Sequence, residues 1–259
     1  MSLQIFRFTL SEGQTIFKSQ FPALRLDVER QGAVNQYFGY SVAVTTAALP
    51  KRRHEITWVI GTYNVYIRLL ISNSIPEWKS GVLLQTYPPL VEQFLKLAND
   101  ATGLILSIND AQRDGYLAAL QSPICELVSK MIRYNNYMLP LEQTPMRLLP
   151  ETPMDNELFR VSVHKTFTDC YGWPGFVSGD WGYIKDTNDV LGAPLEANNS
   201  SEIPEDQRRL AFYLLGWESA EIHEDFSKSP LFFEEIVKLA PWIDKSSGAW
   251  YVRFMQHGV

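Results

Sequence analysis

Cysteine is scarce in this chain: two in 259 residues, Cys125 and Cys170, with no CxxC pair and no Cys/His cluster around either. That pattern argues against a disulfide framework or a structural zinc site and predicts two buried free thiols. Long apolar runs are missing too; none reaches the ~18 residues of a spanning helix. There is no block of Lys and Arg, and the net charge is −6. A nucleic-acid or anionic-membrane surface is therefore not expected. The first residues, MSLQIFRFTL, lack the basic-then-apolar pattern of a secretory leader. No Gly-rich phosphate loop, Ser–His–Asp order, HExxH motif or metal-ligand cluster occurs, so no nucleotide, flavin or metal cofactor is expected. These absences leave a cytoplasmic protein without cofactors as the expectation.

What is present is apolar and aromatic. Hydrophobic residues make up 46% of the chain, which allows a substantial core. Residues 3–10 (LQIFRFTL) alternate, with Phe6, Phe8 and Leu10 on one face and Ile5, Arg7 and Thr9 on the other, as a strand does. Residues 14–29 carry Ile16, Phe17, Phe21, Leu24 and Val28 near helical spacing, with Pro22 disturbing the middle. Strands are expected at 35–44, 55–60 and 103–108, and a helix at 87–99. Residues 110–134 read as mainly helical, with a fresh start at Ser122-Pro123, and 137–149 as extended. Residues 158–165 (LFRVSVHK) read as a strand with Phe159, Val161 and Val163 on one face and Arg160, Ser162 and His164 on the other. A strand at 180–185 and a polar loop at 186–207 follow. The clearest stretch is 208–254: a doubly apolar strand at 210–217, a helical stretch at 218–242 re-capped at Ser229-Pro230, and a closing strand at 248–256.

The halves repeat each other in order and in wording. IFRFTL matches LFRVSV, YFGYS matches DWGYI, and TWVIG matches FYLLG. The matches pair Arg7 with Arg160, Thr9 with Ser162, Phe38 with Trp181, Tyr40 with Tyr183 and Trp58 with Tyr213. Ser122-Pro123 is paired with Ser229-Pro230. The expected fold class is α+β: two ferredoxin-like βαββαβ units with antiparallel sheets. The first is expected over 1–150 and the second over 151–259, divided at the proline-punctuated segment 149–155. The pairing requires an insertion around 61–108, and two placements stay open. Either EWKS (77–80) continues the TWVI strand, or LILSIND (104–110) is the counterpart of 214–219.

So arranged, the chain resembles the dimeric α+β-barrel superfamily, and within it the antibiotic-biosynthesis-monooxygenase (ABM) type of domain, as tandem copies in fungal proteins. The residues that carry the resemblance are LLGWESAEIHEDFSKSPLFFEEIVKLAPWI and WYVRF, with ITWVI and EWKS in the first half. It implies two sheets facing each other as a barrel, closed within one chain or by a homodimer. It also implies a small aromatic or polyketide-like ligand from secondary metabolism. Cofactor-free oxygenases, cyclases and proteins without chemistry all share the superfamily, so the fold alone does not choose among them. Relatives with a His-Pro base at the second helix differ from this chain, where Ser229-Pro230 and Ser122-Pro123 stand.

On this arrangement Arg160, Ser162 and His164 point into the barrel. His164 is the candidate general base and Arg160 the candidate holder of a developing oxyanion. Trp181, Tyr183, Tyr213, Trp217, Trp250 and Tyr251 are the candidate aromatic lining of a ligand site. The loop through Asp169, Tyr171 and Trp173-Pro174-Gly175 is placed over the barrel mouth. His223, flanked by acidic residues in WESAEIHEDF, is expected on the surface. The alternative function is a non-catalytic ligand-binding or dimerisation barrel whose interior is filled by side chains.

Overall fold

The structure, a computed structural model, describes residues 1–11, 13–42, 55–62, 88–98, 101–128, 146–147, 157–187, 210–242 and 249–258. Of the expected extended stretch 137–149 only 146–147 are described, and of the expected polar loop 186–207 only 186–187; the EWKS segment and the dividing segment 149–155 lie outside the described residues.

The first half runs β1 (Ser2–Thr9), α1 (Phe21–Arg30), β2 (Asn35–Val42), β3 (Glu55–Thr62), α2 (Pro88–Leu97) and β4 (Thr102–Ser107). Its strands lie in the order β2-β3-β1-β4, all antiparallel, the arrangement of a ferredoxin-like unit. A connecting helix, α3 (Asp110–Leu120), follows. The second half runs β5 (Ile124–Val128), β6 (Met146–Arg147), α4 (Glu157–Thr168), β7 (Phe176–Thr187), β8 (Leu210–Trp217), α5 (Ala220–Ser227), α6 (Pro230–Leu239), β9 (Ala249–Val252) and β10 (Met255–Gln256). Its order, β7-β8-β5-β9, repeats that of the first half. Two seams join the sheets. β4 pairs with β7, and β9 and β10 follow one another along the edge of β2. The ring of eight strands is thereby closed within one chain, as an α+β barrel.

Side-chain alternation sorts the core into three clusters. Leu3, Ile5, Tyr37, Val59, Leu104, Leu106, Leu127, Phe212, Leu214 and Trp250 meet inside the ring. The opposite faces carry Phe6, Phe8, Phe38 and Trp58 under α1 and α2, and Tyr213, Leu215 and Trp217 under α4, α5 and α6. The expected split of residues 3–10 into two faces is therefore borne out. The doubly apolar β8 is buried on both faces because it separates the ring interior from the helices.

α3 starts at a reciprocal capping box, in which Asn109 Oδ1 accepts from the Gln112 N–H at 3.0 Å and Gln112 Oε1 accepts from the Asn109 N–H at 3.3 Å. It contributes Tyr116, Ala119 and Leu120 to the interior cluster. Its approach to β8 is so close that a Cβ on Gly216 would lie 2.8 Å from the Ala119 Cα.

Four expectations need correction. α1 is shorter than the helix expected at 14–29, because Pro22 sits in its first turn rather than its middle, where a missing N–H costs nothing. Residues 158–165 form a helix, not a strand: α4 buries Phe159, Val163 and Phe167 at a spacing of four. Ser122-Pro123 opens the strand β5 rather than a helix. Ser122 Oγ donates to the Ala119 and Ile124 carbonyls instead of accepting from a helical N–H. Finally, β5 stands between β8 and β9, so the second unit begins there and not after residue 150. α2 and β4 are the fifth and sixth pieces of the first unit, so much of 61–108 belongs to the repeat itself.

Candidate active site

The expected site residues do not gather inside the barrel. Once residues 158–165 are a helix, Arg160 and His164 lie on its exposed side, outside the ring. His164 Nδ1 accepts the Trp181 indole N–H at 2.9 Å, which leaves Nε2 as the outward nitrogen. Ser162 is buried, and its main-chain carbonyl accepts from Thr166 Oγ1 at 2.9 Å. Trp181 and Tyr213 stack with centroids 5.9 Å apart, on the helix side of the sheet. The Tyr213 hydroxyl donates to the Val163 carbonyl at 2.8 Å, tying β8 to α4. Tyr183 lies on β7, in register with Ala211. Trp217 and Tyr251 also face the helices. Of the six expected lining aromatics, Trp250 alone joins the interior cluster. The segment 169–175 begins as a 3-10 turn and lies on the helix side, with Trp173 against Phe226 at 5.5 Å.

What the fold does assemble is a polar chain that the sequence reading missed, at His223. α5 is capped by Ser219 and presents His223, Phe226 and Ser227 to the sheet. His223 is only 2% exposed, not on the surface as its acidic neighbours suggested. Its Nε2 lies 3.0 Å from Glu126 Oε1, on the central strand β5. Its Nδ1 lies 2.5 Å from the Tyr251 hydroxyl on β9. The other Glu126 oxygen accepts the Trp217 indole N–H at 2.9 Å. Four residues from β5, β8, α5 and β9 thus lie in one polar line beneath α5, with hydrogen bonds joining Trp217 to Glu126 and Tyr251 to His223 and a charge contact between the His223 ring and the Glu126 carboxylate.

The line is enclosed by apolar side chains. Trp217 meets the His223 ring at 5.1 Å, Phe176 at 5.0 Å and Phe226 at 5.5 Å. Burial, reinforced by the nearby carboxylates, pushes the Tyr251 hydroxyl well above its ordinary range, so it stays protonated at neutral pH. An imidazole that accepts through Nδ1 from Tyr251 can take the phenolic proton and hold it as an imidazolium whose Nε2 side lies beside the Glu126 carboxylate. Trp173, Phe176 and Ile222, half-buried at the edge of this cluster, mark where it comes nearest the surface. A signal for this site was present in the sequence: Glu126 is the one charged residue in the apolar word ICELV, and a lone carboxylate in a buried strand needs a partner.

A second polar group lies inside the ring. Arg7 is 4% exposed and pairs with Glu55, with its Nε 3.0 Å from Oε1; Ser41 Oγ donates to the same oxygen at 3.0 Å. The Arg7 guanidinium lies over the Trp250 ring at 4.4 Å, and the Trp250 indole N–H donates to Thr57 Oγ1 at 3.0 Å. These contacts tie the first half to β9. No group of His, Cys, Asp and Glu among the described residues could hold a metal ion. Among them, no helix is long and apolar enough to cross a membrane.

No family model matches the chain, and no curated protein matches it. Solved structures do. A candidate monooxygenase from Lactobacillus acidophilus NCFM is 11% identical, covering 98% of this chain and 94% of that one, with a TM-score of 0.49. A candidate monooxygenase from Fusobacterium nucleatum subsp. nucleatum is 8% identical, covering 98% and 91%, with a TM-score of 0.46. An anthrone oxidase-like protein is 8% identical, covering 100% and 94%, with a TM-score of 0.45. At such identities and scores these likenesses decide nothing about chemistry, which has to be argued from the residues of this chain.

Proposed function

We propose that this chain is a small-molecule enzyme of secondary metabolism, a cofactor-independent oxygenase or related proton-transfer enzyme acting on an aromatic, polyketide-like substrate. We read it as an ABM-like tandem of the fungal type, working in the cytoplasm. Two buried free thiols suit a reducing compartment. The observation that carries the reading is the buried line Glu126–His223–Tyr251.

In this reading the flat substrate approaches past Trp173, Phe176 and Ile222. Its acidic O–H or C–H gives a proton to the Tyr251 oxygen as Tyr251 passes its own to His223 Nδ1. The resulting imidazolium is stabilised by Glu126. The substrate anion then gives one electron to O₂, and the substrate radical and superoxide combine into a peroxide. The apolar shell of Trp217 and Phe226 keeps water from quenching the anion.

The test is oxygen consumption with a panel of anthrones and hydroquinones. The native protein consumes O₂ with at least one of them. Tyr251→Phe and His223→Asn, checked for cooperative unfolding, lose about 10²- to 10⁴-fold in kcat. Failure of every panel member, or full activity in both variants, overturns the reading. Loss of turnover in His164→Ala alone would move the chemistry to the exposed face of α4. The second reading, a barrel without chemistry, is favoured by the side chains that fill the ring interior. On that reading both variants change stability and nothing else.

A further inference from the structure

Arg25, on α1, is 7% exposed. Its guanidinium lies 3.6 Å from the centre of the Phe38 ring and 5.0 Å from that of Phe21. Among the described residues the buried Nε has no hydrogen-bond partner, and no carboxylate forms an ion pair with this side chain. The acids nearest in sequence are committed elsewhere: Asp27 pairs with Arg30 at 2.8 Å, and Glu29 lies 3.3 Å from His257. Burial lowers the Arg25 pKa to about 10, which still leaves it charged at neutral pH. A cation removed from water without a counter-charge is costly, and a structure that keeps one is arranged for an anion.

The matching position in the second half shows the contrast. Phe38 sits opposite Trp58 in the β2–β3 pair, and Trp181 sits opposite Tyr213 in the β7–β8 pair. The two places are equivalent, each beneath the first helix of its unit. In the second half the helix contributes His164, and Trp181 supplies it with an N–H at 2.9 Å. In the first half the helix contributes Arg25, which lies on a ring that can offer it no acceptor. The backbone there is pinned: the Arg25 carbonyl accepts from Gln36 Nε2 at 2.8 Å, and Gln36 Oε1 accepts from Trp58 Nε1 at 3.1 Å. The guanidinium thus lies over the Phe38 ring, with its outer N–H groups as the remaining recognition surface.

We propose that Arg25, lying over the Phe38 ring, binds the carboxylate of a small organic acid. A planar fork of donors matches a carboxylate, and one positive charge balances one negative charge. A phosphate dianion would need a second cation, and the neighbouring Arg30 and His257 already face Asp27 and Glu29. This site lies in the first unit and does not rest on the proton-transfer reading of the second.

The experiment is a titration of ¹⁵N-labelled full-length protein, following the Arg25 Nε–H signal, which is identified by its loss in Arg25→Lys. Benzoate is the probe, with neutral benzamide and inorganic phosphate as comparisons. The expected result is a saturable shift with benzoate, none with benzamide, and weaker binding of phosphate. Stabilisation of the fold by benzoate should require about tenfold more ligand in Arg25→Lys and vanish in Arg25→Met. No shift with benzoate, or an equal shift with benzamide, overturns the site. An equal shift with phosphate overturns the carboxylate assignment. Where Arg25→Met does not fold, the native titration and Arg25→Lys decide the outcome.

Discussion

Replacing Glu126 by leucine tests whether the buried line under α5 acts as one unit. The two side chains are similar in size, so the cavity term is small and the change is mainly electrical. In the native fold Glu126 accepts from Trp217 Nε1 at 2.9 Å and faces His223 Nε2 at 3.0 Å, and it is fully buried. Leucine leaves the Trp217 indole N–H without its acceptor and the His223 ring without the carboxylate beside it. The stranded indole donor costs about 1–3 kcal/mol, and breaking a buried charge pair from one side costs about 3–5 kcal/mol. A loss of ~4 kcal/mol is expected, a large part of the roughly 5–15 kcal/mol that holds a domain folded. Urea unfolding followed by tryptophan fluorescence measures it, with an unchanged slope showing that the unfolding reaction is the same. The companion variant is Glu126→Leu/His223→Leu/Tyr251→Phe. It strands only the Trp217 N–H, so it should recover more than half of the loss, because removing all partners is far cheaper than removing one. If Glu126→Leu costs under about 1 kcal/mol, or the triple variant costs the sum of its three single changes, the four residues are not one network.

Two pH dependences follow from burial. The hydroxyls of Tyr116 and Tyr251 are both held above the ordinary value of 10.0, chiefly by burial. The unfolded chain therefore releases these protons first as pH rises past about 10, and stability should fall there by ~1.4 kcal/mol per pH unit for each tyrosine. Urea midpoints across alkaline pH should show a shallower fall in Tyr116→Phe/Tyr251→Phe, and identical slopes would contradict the assignment. Burial also raises the Asp180 carboxyl above 3.8, against the opposing hydrogen bonds from the Trp181 N–H at 2.7 Å and from Gln112 at 3.3 Å. The unfolded chain here ionises first, so stability falls as pH rises from 3.8 through the raised value and stays lowered at neutral pH. Asp180→Asn should then raise Tm at pH 7 and lose that gain under acid conditions; a Tm that drops at pH 7 would show that the carboxylate is stabilising.

The repeat was legible where strands alternate against a ring interior. YFGYS and DWGYI, and TWVIG and FYLLG, occupy equivalent strands. β8 occupies Leu210–Trp217, the bounds read from its doubly apolar run. The word LFRVSVHK misled because Phe159 and Val163 satisfy a period of two and a period of four alike. Val161, 52% exposed, and Phe167, 5% exposed, separate the two readings, and Phe167 lies beyond the eight residues that looked like a strand. Ser122-Pro123 and Ser229-Pro230 share their letters but not their hydrogen bonds. Ser229 Oγ accepts from the Phe232 N–H at 3.2 Å and caps α6, whereas Ser122 Oγ donates. The candidate site was the least legible part, because it joins a strand from before the expected division to three elements after it. No local pattern brings Glu126 to His223.

Both seams of the ring join the first sheet to the second, and both are held by one chain. Were the ring built from two identical copies, every substitution would occur twice, and a change that suited one sheet would have to suit the other. A continuous chain releases that constraint. The helix-covered face of one sheet can become a solid stack of Phe6, Phe8, Phe21, Phe38, Trp58 and Phe94, while the equivalent face of the other keeps an acid, an imidazole and a phenol in line. On the proposed function, stiffness and reactivity come from different halves, so each can change without altering the other.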